Sequence, residues 1–223
     1  MGLPRNRRRW PWHVRYAVLG RWASELRRLS AQASHLHANL VFEGPVWIGP
    51  GFSLRLFEDG TTLRVGPNVE LRRNFTCEVA GSGVVTIGPS AVFAGTVTIQ
   101  CSTTIDIGEG AIFGQSVLIA DGNHRFRDPD TPFLEQGYDF RPIKIGAGAV
   151  VHTNCVVLND IGERAVIGAN SLVTRPVPAY CLAVGSPARV VEYFGPPELR
   201  PEGVPQSAAG TARPDLRPAD GPG

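Results

Sequence analysis

The sequence has little net charge and no long apolar run. Its 223 residues carry a formal net charge of only +2, which excludes a nucleic-acid binder that works through overall basicity. No stretch approaches the roughly 18–20 apolar residues that a membrane-spanning helix needs. The N-terminus begins with basic residues but lacks the apolar core of a secretory signal. We therefore expect a cytoplasmic protein that binds no nucleic acid.

Cysteine and histidine are too few and too scattered for a metal centre. None of the four cysteines belongs to a CxxC pair, so we expect small buried thiols in a reducing compartment. They are Cys77, Cys101, Cys155 and Cys181. Of five histidines, only His124 and His152 follow residue 37, fewer than a zinc centre built on histidines requires. We predict no metal.

An apolar residue recurs at every sixth position, in groups of three. The positions are Phe42, Ile48, Leu54; Val65, Leu71, Cys77; Ile87, Phe93, Ile99; Ile107, Phe113, Ile119; Ile145, Val151, Val157; and Ile161, Ile167, Val173. A smaller residue, such as Ala91, often follows four places later. Each hexad predicts a short strand with a tight corner, and three hexads close a triangular coil. The sequence thus predicts an all-β protein, a left-handed parallel β-helix of about six coils.

Glycine often follows the large apolar residue, as in Ile87-Gly88 and Ile107-Gly108. We expect these glycines to adopt corner dihedrals that a Cβ would oppose.

The repeat divides the chain into three regions: a basic amphipathic helical region at 1–38, the β-helix at 39–194, and a disordered tail rich in proline and glycine at 195–223. Up to Leu29 there are eight arginines against one acid, Glu25. Six apolar residues fall on one face of this predicted helix, namely Val14, Val18, Leu19, Trp22, Leu26 and Leu29. Two interpretations remain open, a helix that caps the first coil and a helix that contacts an anionic membrane.

A long insertion, 121–142, interrupts the coils, and loops of this length in compact repeats are usually functional. It is polar and contains the aromatic residues Phe126, Phe133, Tyr138 and Phe140. His124 stands at its start, in the run IADGNH with Asp121 and Asn123. A neutral imidazole accepts a proton from a nucleophile at physiological pH, so His124 is the candidate general base. Either Asp121 or a backbone carbonyl is expected to orient the ring.

The second half of the repeat resembles the hexapeptide-repeat acetyltransferases, the group that contains the galactoside, maltose and serine O-acetyltransferases. The resemblance is carried by IGEGAIFGQSVLIADGNH, PIKIGAGAVVHTNCVV and IGERAVIGANSLVTRPVPAYCLAVGSPARVV. The family implies a coenzyme-A-dependent O-acetyltransferase in which His124 is the general base toward acetyl-CoA. It also implies a homotrimer with the donor in a groove between neighbouring β-helices. The residues that match donor-lining positions are Thr153, Ala169, Thr174, Arg175 and Arg189.

Some residues depart from the family pattern and leave the acceptor open. Val150 replaces a tryptophan, His152 a glycine, Ala94 an asparagine that contacts the acceptor, and Glu192 an arginine. The leading hypothesis is acetyl transfer to a hydroxyl of a saccharide or glycoconjugate in cell-surface polysaccharide synthesis. Its alternatives are transfer to the amine of an amino sugar or antibiotic, and a non-catalytic solenoid that only binds a ligand.

Overall fold

The structure, a computed structural model, describes residues 19–207. One α-helix, α1 (Gly20–Ser34), precedes a solenoid whose three faces are sheets of five, eight and six strands within the described residues. Apart from β21, which closes the second face as an antiparallel strand, neighbouring strands within these faces are parallel. A separate two-stranded sheet belongs to the insertion.

The faces take their strands in rotation along the chain. The first face consists of β1 (Asn39–Phe42), β4 (Thr62–Val65), β7 (Val84–Ile87), β10 (Thr104–Ile107) and β15 (Ile143–Ile145). The second consists of β2 (Val46–Ile48), β5 (Val69–Leu71), β8 (Val92–Gly95), β11 (Ile112–Gln115), β16 (Val150–Val151), β18 (Val166–Ile167), β20 (Cys181–Val184) and β21 (Arg189–Tyr193). The third consists of β3 (Ser53–Leu56), β6 (Thr76–Val79), β9 (Thr98–Cys101), β12 (Leu118–Ala120), β17 (Val156–Val157) and β19 (Leu172–Val173).

The register of the strands follows the sixfold apolar pattern. On the first face Phe42 pairs with Val65, Val65 with Ile87, and Ile87 with Ile107, and the other two faces repeat this arrangement. Apart from the half-buried Phe42 and Leu54, the large register residues are buried. The predicted parallel β-helix is confirmed.

The coil count differs from the prediction of about six. Four coils, from β1 to β12, have strands of three or four residues on all three faces. After the insertion most strands shrink to two residues, and two turns of the first face are reduced to isolated bridges at Ile161 and Val177. The regular solenoid is therefore shorter than the repeat suggests.

The corner glycines act differently from the prediction. Gly88 and Gly108 do not have a positive φ; that conformation falls two positions later, at Ser90 and Gly110. A Cβ on Gly108 would instead lie 2.5 Å from the backbone nitrogen of Ala147 in the next coil, and one on Gly88 2.7 Å from that of Glu109. These glycines are needed because adjacent coils approach each other too closely for a side chain.

Aromatic rings stack along the axis of the solenoid. Phe75 meets Phe93 edge-on at 5.0 Å between centroids, and Phe93 lies nearly parallel to Phe113 at 4.7 Å. All three rings are buried. The four cysteines are free and buried, as predicted. Burial raises the pKa of the Cys101 thiol to about 12, with a further contribution from the nearby Asp121 carboxylate.

Helix α1 lies across the open end of the first coil. The Ser24 hydroxyl donates to the Val46 carbonyl (3.1 Å) and accepts from the Ile48 amide (2.8 Å), while Arg27 donates to the Ile48 carbonyl (3.0 Å). The capping interpretation therefore holds for α1. The helix packs through its polar and small residues, however, and the apolar set Leu19, Trp22, Leu26 and Leu29 faces outward, between 50% and 67% exposed. Val14 and Val18 lie outside the described residues.

The far end is closed by the C-terminal segment. Strand β21 pairs antiparallel with β20. Beyond it the chain folds back, since the Tyr193 amide donates to Pro205 (2.8 Å) and the buried Tyr193 hydroxyl donates to Pro196 (2.7 Å). A short 3-10 helix, Pro197–Leu199, lies in this segment. The predicted disordered tail therefore does not begin at residue 195, and residues 208–223 lie outside the description.

Candidate active site

The insertion leaves the solenoid at the end of β12 as a closed loop. Its two ends are joined, because the Arg141 amide donates to the Asp121 carbonyl (2.7 Å). Next to this closure, β13 (Gly122–His124) and β14 (Tyr138–Phe140) form an antiparallel hairpin in which His124 pairs with Tyr138. The candidate base therefore sits on a strand at the edge of a rigid scaffold.

The outer part of the loop is held by its own hydrogen bonds. The Gln136 amide donates to the carbonyls of Asp128 and Thr131 (both 2.8 Å), and the Thr131 hydroxyl donates to the Asp128 carboxylate (2.7 Å). The Thr131 hydrogen bond, followed by backbone donors, lowers the pKa of Asp128. A 3-10 helix, Phe133–Glu135, then turns the chain back toward His124.

The His124 ring is part of a stack of four rings. Its centroid lies 4.1 Å from that of Tyr138 and 4.9 Å from that of Phe133, with interplanar angles of 38° and 34°. Tyr138 in turn stacks on Phe140 at 5.3 Å and 11°. Gly122 permits this arrangement, since a Cβ there would overlap the Phe140 ring. The imidazole thus contacts two aromatic rings, both inclined to its plane.

Neither predicted partner orients the His124 ring. Its Nδ1 atom is buried and has no hydrogen-bond partner among the described residues. The Asp121 carboxylate instead accepts from the Ser102 amide (2.9 Å) and from the amide (2.6 Å) and hydroxyl (2.7 Å) of Thr103. Asp121 is a buried structural residue that fixes the corner of the coil below, and this part of the prediction was wrong. Nε2 remains as the nitrogen that a substrate can reach.

A cleft of about 400 Å³ lies between the hairpin and the third face of the solenoid. His124, Tyr138 and Phe140 line one side, together with Asn123. The opposite side is formed by Phe57 and by the outward residues of successive third-face strands, namely Glu78, Gln100 and Ala120. Phe57, Glu78 and Gln100 could not be predicted from the sequence, because nothing in their local pattern links them to a loop one or more coils away.

The predicted donor-lining residues gather at the edges of the third face in the last coils. Thr153 and Ala169 occupy successive corners that lead into β17 and β19. Thr174 and Arg175 follow β19 directly. Arg189 is brought to this end by the preceding loop, since the Ala188 amide donates to the Leu172 carbonyl on β19 (2.8 Å). All five residues are exposed.

His152 is exposed in the same row of corners as Thr153. Its neighbours in the coils before and after are Gly114 and Gly168, so no side chain lies directly beside the imidazole along this column. Between residues 19 and 207 no three histidine, cysteine or acidic side chains converge as metal ligands. The same residues include no helix long and apolar enough to cross a bilayer.

Comparison by sequence relates the chain to bacterial acetyltransferases. No protein-family model matches it. It is 28% identical over 190 residues to the probable acetyltransferase Rv3034c of Mycobacterium tuberculosis, an alignment that covers 84% of this chain and 59% of the relative. It is 33% identical over 112 residues to the serine acetyltransferase of Haemophilus influenzae, covering 48% of this chain and 39% of the relative. The chain thus spans about half the length of these relatives.

Comparison by structure gives the same fold. The hexapeptide-repeat acetyltransferase VCA0836 of Vibrio cholerae, solved with acetyl coenzyme A, aligns with a TM-score of 0.54 at 20% identity, over 77% of this chain and 79% of that one. The N-acyltransferase AntD of Bacillus cereus, solved with dTDP and 3-hydroxybutyryl-CoA, aligns with 0.59 at 17% identity, over 73% and 86%.

Fold and repeat together define a left-handed parallel β-helix protein with an inserted loop. Within that class, its sequence is similar to bacterial acetyltransferases.

Proposed function

We propose that the chain is a coenzyme-A-dependent acyltransferase that moves an acetyl group from acetyl-CoA to a hydroxyl of a saccharide or glycoconjugate. The observation that carries this proposal is His124, an imidazole in contact with the rings of Phe133 and Tyr138 at the wall of a cleft. The related acetyltransferases support the donor. AntD was also solved with dTDP-4-amino-4,6-dideoxyglucose, a nucleotide-linked sugar, and this supports an acceptor of the saccharide type.

His124 acts as the general base in this reaction. Its Nε2 accepts the proton of the acceptor hydroxyl while that oxygen bonds to the thioester carbonyl carbon. The carbon–sulfur bond then breaks, and the coenzyme A thiolate takes the proton back from the imidazolium. No acyl-enzyme forms. Besides proton removal, the rate gain comes from holding the two substrates together.

Thr153, Ala169, Thr174, Arg175 and Arg189 are proposed to line the donor groove. The exposed guanidinium groups of Arg175 and Arg189 would meet donor phosphates through charge-assisted hydrogen bonds. The short side chains of Thr153 and Ala169 leave room for the pantetheine arm along the corners. Because these residues are exposed in a single chain, the proposal includes a homotrimer in which a second chain forms the other wall. Light scattering is expected to give three times the chain mass of 24.0 kDa.

Two measurements test the activity. Acetyl-CoA is expected to raise the melting temperature of the protein, and an unchanged value would favour the alternative of a non-catalytic binding solenoid. A panel of saccharides and amino sugars is then incubated with acetyl-CoA, and the free thiol of released coenzyme A is detected. Because AntD is an N-acyltransferase, transfer to an amine is the second candidate, and turnover of amino sugars alone would select it.

We also propose that α1 brings this cytoplasmic enzyme to an anionic membrane. The outward stripe of Leu19, Trp22, Leu26 and Leu29 is apolar, and the chain up to Leu29 has eight arginines. Three of these arginines, Arg21, Arg27 and Arg28, belong to α1 itself. An apolar helix face beside basic residues favours binding at the interface of anionic bilayers.

Sedimentation with vesicles tests this membrane contact. The protein is expected to bind phosphatidylglycerol-containing vesicles at low salt and to dissociate at high salt. Leu26→Glu should weaken binding, whereas Leu199→Glu, at an equally exposed leucine far from α1, should not. Equal binding to pure phosphatidylcholine, or no binding at low salt, would contradict the proposal.

A further inference from the structure

The walls of the cleft beside His124 differ in chemistry. One wall is aromatic, because Tyr138 and Phe140 present stacked rings that are each 46% exposed. Phe57, 58% exposed, adds a third ring from the third face of the solenoid. Flat, exposed rings at the side of a cleft suit the C–H face of a sugar ring, which is apolar although its rim is not.

The facing wall offers planar polar groups. The Glu78 carboxylate is held by Arg55 (3.1 Å) and by the Gln100 amide nitrogen (3.1 Å). This leaves the Gln100 carbonyl oxygen as a hydrogen-bond acceptor toward the cleft. These side chains lie in one outward column, since Glu78 pairs with Gln100 and Gln100 with Ala120 in the strand register. The column ends beside the strand that carries His124.

Within the part of the chain that the structure describes, no lysine or arginine lines this cleft. Its charged groups are the carboxylates of Glu78 and Asp121. Two neighbouring guanidinium groups are already ion-paired, Arg55 with Glu78 in the cleft wall (3.1 Å) and Arg125 with Asp139 on the hairpin (2.6 Å). A phosphate group is normally held by arginine, lysine or a helix N-terminus. A sugar with a phosphate on its anomeric carbon would find no lysine or arginine among the described residues that line the cleft.

From this charge distribution we propose that the acceptor is an uncharged saccharide, free or glycosidically linked, and not a sugar phosphate or nucleoside-diphosphate sugar. The ring of the sugar lies on Tyr138 and Phe140, its hydroxyls meet Gln100, and one hydroxyl faces Nε2 of His124. This inference rests on the proposed acyl transfer and specifies its substrate class. It also separates this chain from AntD, which was solved with dTDP.

The test compares matched acceptors on the intact protein. Methyl glycosides of glucose, galactose, mannose and N-acetylglucosamine are assayed beside the 1-phosphates and nucleoside-diphosphate forms of the same sugars, with coenzyme A release as the readout. The glycoside form is expected to have a kcat/KM at least about tenfold above the phosphate form, the size of one well-placed charge interaction. Preference for a phosphorylated form would overturn the inference while leaving acyl transfer intact. If no acceptor releases coenzyme A, binding of the same panel is measured by ligand-detected NMR. Glycosides that do not bind would then overturn the inference.

Two variants locate the acceptor. Phe140→Ala is expected to raise the KM for the glycoside about tenfold or more, whereas Phe126→Ala, on the same loop but outside the cleft, leaves it unchanged. Gln100→Arg supplies the missing positive charge and is expected to shift the preference toward the phosphorylated sugar. A Gln100→Arg protein with an unaltered preference would contradict the placement. Failure of acetyl-CoA to stabilise the wild-type protein is a separate result, since it would defeat the proposed function itself.

Discussion

The solenoid and its insertion hold aromatic rings in opposite ways. In the solenoid, Phe75, Phe93 and Phe113 are at most 1% exposed and are fixed by packing on every side. In the insertion, Tyr138 and Phe140 are each 46% exposed and are fixed by a two-stranded hairpin and by stacking on one another. The solenoid therefore contains the buried core, whereas the candidate site belongs to the insertion. Substitutions in each part should therefore affect different measurements.

The largest expected effect is on turnover, from His124→Ala. Loss of a general base costs about 10²–10⁴ in rate, so kcat for acetyl transfer should fall by at least about a hundredfold. Because the half-buried ring lies outside the solenoid core, the far-ultraviolet circular dichroism and the oligomeric mass should stay unchanged. Turnover that persists in this variant would remove His124 from the mechanism.

A similarly large effect, this time on stability, is expected from Phe93→Ala. Removing a fully buried ring between two others should lower the free energy of unfolding by about 3–5 kcal/mol. Phe126→Ala on the exposed part of the loop should change it by less than about 0.5 kcal/mol. Urea unfolding of both variants measures the contrast, and equal losses would show that the loop is part of the same cooperative core.

A smaller loss of stability distinguishes two glycines in one corner. Gly108→Ala places a Cβ 2.5 Å from the backbone of the next coil, and overpacking of this kind costs about 3 kcal/mol. Gly110→Ala faces open space and is opposed only by its positive φ of 65°, at about 1 kcal/mol. Thermal and urea unfolding would rank them. If Gly110→Ala were the more destabilising variant, corner dihedrals would matter more than the close approach of adjacent coils.

The smallest expected effect tests the ring clamp on His124. Tyr138→Leu removes an aromatic face and should lower kcat about tenfold, whereas Tyr138→Phe keeps the face and should retain the rate. The melting temperature should not move in either variant, because Tyr138 contributes nothing to the buried core. Proton NMR gives a second readout, since the ring-current shift of the His124 ring protons should decrease only in the leucine variant, where the Phe133 ring alone remains.

The sixfold periodicity determines how much of the fold could be predicted from the sequence. A residue such as Phe93 is specified by neighbours six positions away, so the sequence reveals its place on a face and its coil-to-coil partners. The function of Gly108 is different, because the atoms that exclude a Cβ belong to Ala147, beyond the insertion. The contacts between corners of successive coils are known only from the three-dimensional structure.

The residues of the candidate site also differ in whether the sequence could predict them. His124 could be found because it borders the break in the repeat and matches a family pattern. Phe133 and Tyr138 were visible only as aromatic residues of the loop, since no period relates them to His124. The carboxylate of Asp121 was expected at the imidazole but is occupied by Ser102 and Thr103, the corner residues of the preceding coil. Side-chain pairing across coils is a tertiary property that spacing along the chain does not encode.

The covered ends of the solenoid limit how copies of this chain assemble. At the first coil, side chains of α1 and the residues after it occupy strand carbonyls that would otherwise be free, as Arg27 does at Ile48 and His37 at Leu56. At the last coil, β21 runs antiparallel and interrupts the parallel ladder. A further copy therefore cannot continue the second face as a parallel ladder, and this limits growth of the solenoid from that end.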